Sequence, residues 1–137
     1  DNRVALAHVG DSRAYLVRSG RIRQLTDDHS LVAELVRRRE ITPAAARGHP
    51  HRHVLMRALG VRPSVEPDLA ELTSAPGDVF VLCSDGLTGH VQDDEIAVEV
   101  NRHADLDTAC ERLIQLANDR GGEDNITVLL VRCEKTD

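Results

Sequence analysis

The sequence predicts an α+β domain from three observations: apolar strand-like runs joined by tight-turn residues at the start, a continuous β-branched run near residue 80, and two helical repeats in the last third. Val4, Leu6 and Val9 lie among small residues before the breaker Gly10-Asp11, so a buried strand is expected to end at Asp11. Residues 14–17 and 21–25 are expected as two more strands around Ser19-Gly20, which has hairpin-turn chemistry and completes a three-stranded antiparallel start.

Beyond Thr26, the oxygens of Asp27, Asp28 and Ser30 can cap a helix in which Leu31, Val32, Leu35 and Val36 recur at helical spacing. That helix closes on Arg37, Arg38 and Arg39, charges that suit its C-terminal dipole. Thr42-Pro43 reads as N-cap and first position of a second helix, which Gly48-His49-Pro50 breaks. A short helix is expected over 52–60 and a partly alternating strand over 65–72. After the turn Pro76-Gly77-Asp78, the run Val79 to Cys83 reads as a central strand that delivers Ser84-Asp85-Gly86. Ile96 and Val100 mark one helix over 93–102, and Ala109, Leu113, Leu116 and Ala117 mark another over 106–119. Gly121-Gly122 ends the latter, and a last strand over 126–131 follows the turn holding Asp124-Asn125.

Composition narrows the function. The chain has 137 residues, 41% of them hydrophobic, enough for one domain with a real core. Aromatic content of 1% without tryptophan leaves little for stacking bases, and a net charge of -6 favours cations over phosphate backbones, so no nucleic-acid partner is expected. No apolar run approaches the roughly 18 residues of a membrane span and no signal-peptide pattern opens the chain, which sets the expectation of a cytoplasmic protein. Cys83, Cys110 and Cys133 are odd in number and widely spaced, as buried thiols would be. Because the sequence opens at Asp1 directly in strand-like residues, it is expected to be a piece of a longer protein.

Asp11, Asp85 and Asp124 each fall where an expected strand meets a glycine-containing turn. Such margins can converge, and clustered carboxylates raise one another's proton affinity unless a cation neutralises them. Oxygen-only ligands favour Mg²⁺ or Mn²⁺ over zinc. Gly10 and Gly86, lacking side chains, would let the backbone approach a metal or its waters. Taken singly, each is also an ordinary Asp-Gly or Gly-Asp turn.

Together, five stretches resemble the protein phosphatase 2C, or PPM-type, serine/threonine phosphatases, in that family's order and over nearly the whole chain. They are Val9-Gly10-Asp11-Ser12-Arg13, Leu25-Thr26-Asp27-Asp28-His29-Ser30, residues 52–60, Cys83-Ser84-Asp85-Gly86-Leu87, and Gly122-Glu123-Asp124-Asn125-Ile126-Thr127. Bacterial members look most similar, and the segment 28–60 resembles their mobile flap. The resemblance implies an antiparallel β-sandwich flanked by helices and hydrolysis of phosphoserine and phosphothreonine on proteins by a metal-activated water, with no protein nucleophile. It implies that Asp85 and Asp124 ligate a binuclear Mn²⁺/Mg²⁺ centre, that Asp11 with Asp85 holds a third, weaker ion, that Asn125 supports its turn, and that Arg52 or His53 touches substrate. A bacterial enzyme of this type would oppose a serine/threonine kinase. The family also uses an Asp-Gly motif, an acidic residue and a phosphate-binding arginine from a region preceding these motifs, with no equivalents here. This chain is therefore expected to be the C-terminal part of the domain and inactive alone.

Other residues have simpler readings. His49, His51 and His53 could suggest a transition-metal site, but alternation in a proline-broken loop does not fix their geometry. Asp93, Asp94 and Glu95 suit a helix N-terminus, Arg37 to Arg39 a solvated helix end, and Arg13 a structural ion pair. Two further functions remain open: a catalytically inactive regulatory module of the same fold, and a plain cation-binding scaffold.

Overall fold

Ser19 (φ 53°) and Gly20 (φ 76°) both take left-handed conformations, the backbone of a primed hairpin turn whose twist matches the strands it joins. This turn links β2 (Arg13–Arg18) to β3 (Arg21–Gln24) in a computed structural model that describes residues 2–135. β5 (Val79–Cys83) pairs with the other edge of β2, and β6 (Val128–Arg132) pairs with β5, giving a four-stranded antiparallel sheet in the order β3-β2-β5-β6.

β1 (Arg3–His8) does not extend this sheet. It pairs antiparallel with β4 (Asp68–Thr73), Arg3 opposite Thr73 and His8 opposite Asp68, in a separate two-stranded sheet. The expected three-stranded start is thus corrected: Gly10, at φ 109°, turns the chain out of one sheet and into the other.

Strand register sorts the side chains of the larger sheet. Tyr15, Val17, Val79, Val81, Cys83 and Leu130 share one face and form the core with Ile96 and Val100 of α4 (Asp93–Arg102) and Ala109, Leu113 and Ala117 of α5 (Leu106–Asp119). Ala14, Leu16, Phe80, Leu82, Leu129 and Val131 share the opposite face. Two antiparallel sheets, with α4 and α5 packed on one face of the larger, give the antiparallel α+β architecture that the resemblance implies.

Short helices carry the remaining turns. Ser30 Oγ accepts from the Ala33 amide at the head of α1 (Leu31–Arg37), and Thr42 Oγ1 accepts from Ala45 at the head of α2 (Pro43–Arg47). Residues 52–60 form no helix. The Leu31 amide donates to the Val54 carbonyl at 2.9 Å and the Met56 amide to the His29 carbonyl at 2.7 Å, so this stretch lies alongside residues 29–31 as an extended rung. Asp85 opens a one-turn helix, α3 (Asp85–Thr88), immediately after β5. Among the described residues no helix is long and apolar enough to cross a membrane.

Candidate metal centre

Asp11, Asp85 and Asp124 come from three turns far apart in sequence and line one cavity, together with Asp28, Glu123 and His53. Asp11 follows Gly10, whose carbonyl accepts from the His29 amide at 2.8 Å. Asp85 and Asp124 are brought together by stitching between the β5–α3 turn and the loop before β6. The Ser84 amide donates to the Thr127 carbonyl (3.1 Å), and the Thr127 amide donates to Ser84 Oγ (3.0 Å). Asp124 itself accepts from the Asn125 amide at 2.7 Å.

Gly86 completes that junction in a way the sequence reading did not foresee. A Cβ there would overlap the Asn125 carbonyl oxygen, so glycine lets α3 close on the 124–125 loop; approach to a metal is not needed to explain it. At Gly10 a Cβ would meet nothing within 4 Å, and its positive φ is what calls for glycine.

The cavity is electrostatically crowded. Burial, then the negative charges of Asp85 and Asp28, push the Asp11 carboxyl up from 3.8 to about 6. Asp28 was not among the expected site residues; its carboxylate takes a two-pronged hydrogen bond from Arg13 (2.9 and 2.7 Å). Arg13 also donates to the Tyr15 hydroxyl, which donates to Asp93, each at 2.8 Å. The expected structural ion pair of Arg13 is thus formed, with Asp28. The sequence signal of Asp28 is the stretch Leu25 to Ser30, which serves for helix capping and as one of the stretches of the resemblance but assigns Asp28 no place in the site.

This donor set fits a hard divalent cation: its carboxylates are oxygen donors, and burial together with the neighbouring negative charges raises the proton affinity of Asp11, a cost that a bound cation would relieve. Arg52 and His53 face the same cavity, loosely held, with His53 Nδ1 3.7 Å from Asp85 and Arg52 4.0 Å from Glu123. His49 and His51 lie outside the lining and contact each other, the His51 amide donating to His49 Nδ1 at 3.0 Å. Outside this cavity a group of metal-ligating atoms went unforeseen: His8, His29 and Asp68 offer atoms within 4.8 Å of one another.

Two family models divide the chain between them. One described as "Stage II sporulation protein E (SpoIIE)" matches residues 36–134, and one described as "Protein phosphatase 2C" matches residues 1–42. The chain belongs to the protein phosphatase 2C (PPM-type) family. It is 46% identical over 131 residues to a putative protein phosphatase 2C-type of Streptococcus pyogenes serotype M6, covering 96% of this chain and 53% of that protein. With the serine/threonine phosphatase stp of Listeria monocytogenes serotype 4b it shares 45% over 135 residues, covering 98% and 54%. The solved S. agalactiae serine/threonine phosphatase superposes with a TM-score of 0.92 at 43% identity, over 98% of this chain and 55% of that one. The catalytic domain of the phosphatase PstP, solved with two manganese ions, superposes with a TM-score of 0.89 at 38% identity, over 98% and 55%. The chain spans about half the length of the curated relatives it matches.

Proposed function

We propose that this chain is the C-terminal part of a phosphatase domain that removes phosphate from phosphoserine and phosphothreonine of proteins, using Mn²⁺ or Mg²⁺. The observation that carries the reading is the opening of Asp11, Asp85 and Asp124 into one cavity from three separate turns. Asp85 and Asp124 would hold two ions, and Asp11 with Asp85 a third, weaker one. When bound, the ions supply an activated water and neutralise charge on the phosphoryl oxygens during in-line displacement.

The chain's own residues do the positioning. The Gly86–Asn125 contact and the Ser84–Thr127 bonds hold Asp85 and Asp124 in fixed relation. The Arg13–Asp28 pair walls the cavity beside Asp11, and the segment 28–60, acting as the flap, presents Arg52 and His53 to a phosphorylated protein. Its substrates are those of a serine/threonine kinase in the cytoplasm.

The test uses the full-length protein, assayed on a phosphothreonine peptide with Mn²⁺ and with Mg²⁺. Asp85→Asn and Asp124→Asn should each lower kcat roughly a thousandfold, the several kcal/mol a metal ion contributes. A full-length protein that binds Mn²⁺ but releases no phosphate from any phosphopeptide would favour the inactive regulatory module.

A further inference from the structure

We propose that His29 is a positioning residue that fixes the turn carrying Asp11, with Asp68 setting its tautomer. This rests on the reading of Asp11 as a metal ligand. His29 is only 4% exposed and grips Gly10 on both sides. Its backbone amide donates to the Gly10 carbonyl at 2.8 Å, and the Gly10 amide donates to His29 Nδ1 at 3.1 Å. Gly10 has φ 109°, a conformation with few neighbours in energy terms to hold it, and the next residue is Asp11. The paired bonds hold the two peptide units that flank Gly10, and so set the direction in which the Asp11 side chain leaves the backbone.

The bond pattern also fixes the ring's proton. An amide N–H can only donate, so Nδ1 carries the lone pair and the neutral ring carries its hydrogen on Nε2. Nε2 lies 2.7 Å from Asp68 Oδ2, and the other Asp68 oxygen accepts from Arg57 at 2.9 Å. A carboxylate that orients a histidine, which in turn orients a ligand-bearing turn, is the support expected one layer out from a metal. Arg57 lies within the flap segment, so the line Arg57, Asp68, His29, Gly10 ties the flap's return to the cavity.

A different use of the same residues is a transition-metal site formed by His8, His29 and Asp68. His8 Nδ1 is buried without a hydrogen-bond partner among the described residues, and its ring centroid is 4.8 Å from that of His29. The tautomer argues against it. A cation between His29 and Asp68 would need a lone pair on Nε2, whereas the ring's lone pair is on Nδ1 and engaged by Gly10.

The test uses the full-length protein. Long-range ¹⁵N–¹H spectra of the histidine rings should show His29 protonated on Nε2 and bare on Nδ1; a proton on Nδ1 would overturn the proposal without any substitution. Mn²⁺ titration followed by electron paramagnetic resonance then compares Asp11→Asn, His29→Ala, His29→Asn and His29→Gln. Asparagine places its Oδ1 near the position of Nδ1, and glutamine places its Oε1 near Nε2. His29→Ala should weaken the Asp11-dependent site by about tenfold to a hundredfold, with asparagine restoring most of it and glutamine little. If Asp11→Asn weakens Mn²⁺ binding but the three His29 variants bind as the unsubstituted protein does, the positioning role alone fails. If Asp11→Asn changes nothing, the metal reading fails and the positioning role with it. Tight Zn²⁺ binding lost in His29→Asn would favour the transition-metal site and overturn the proposal.

Discussion

Gly86 and Gly10 carry the same sequence signal, a glycine beside an aspartate, and differ in what they do. A methyl group at Gly86 would overlap the Asn125 carbonyl oxygen, so Gly86→Ala must drive α3 away from the 124–125 loop and separate Asp85 from Asp124. Overpacking of this kind costs about 1–3 kcal/mol. Full-length Gly86→Ala should therefore melt at lower temperature and lose Mn²⁺ affinity together. At Gly10 a Cβ meets open space, and the cost is backbone strain alone, about 1–2 kcal/mol. Thermal melts beside Mn²⁺ titrations of both variants check whether Gly86 is the more sensitive in binding. The placement of Asp11, Asp85 and Asp124 in turns at strand margins was legible, because a carboxylate beside a turn residue is a local pattern. Asp28 and the His29–Gly10 grip were not, because only folding brings residues 28 and 29 against residues 10 to 13.

Among the elements, α4 and α5 could be read to their ends, since apolar spacing, acidic first turns and the closing Gly121-Gly122 are all local signals. The partner of β1 could not. Its true neighbour, β4, lies some sixty residues away in the chain, and alternation says which face a strand buries but not which strand lies beside it. Residues 52–60 misled for a related reason: Arg52 and Val54 make only three-residue turn bonds, and the bonds that fix the stretch join Val54 and Met56 to residues 31 and 29, outside any local window. Between α4 and α5 one ion pair predicts a pH response. Glu95 takes Arg120 on its two oxygens and the Gln92 amide on one, and Arg120 foremost pulls its carboxyl from 4.5 down to about 2. Because the folded state holds this group ionised more strongly than the unfolded chain does, its contribution is complete above pH 4.5 and disappears as pH falls towards 2. For a partly exposed pair it amounts to about 1 kcal/mol. Denaturant melts of Glu95→Gln should show that deficit at pH 7 and none near pH 2; an equal deficit at both would point to lost packing instead.

For the whole molecule, the telling feature is an apolar sheet face left partly open. Leu82, Leu129 and Val131 are 38%, 52% and 46% exposed, on the same face as the buried Ala14, Leu16 and Phe80. An antiparallel sheet whose second face meets water alternates apolar with polar residues, and here both faces of β5 and β6 are apolar. The matched relatives are about twice as long as this chain, so if it is part of a domain of their length, the rest of that domain would be the natural cover for that face. Replacing Leu82 and Leu129 by serine separates the possibilities. If the rest of a full-length protein buries them, each substitution should lower its stability by about 1.5–3 kcal/mol, the cost of losing one fully buried leucine. In residues 1–137 alone the same pair should cost far less stability, and should reduce self-association in sedimentation experiments by removing the exposed patch. On the proposed reading, in which residues from elsewhere in the domain complete the cavity, that segment should also show no phosphatase turnover with Mn²⁺ before or after substitution. Turnover by the isolated segment, or equal destabilisation of segment and full-length protein, would mean that these residues already form a self-sufficient unit.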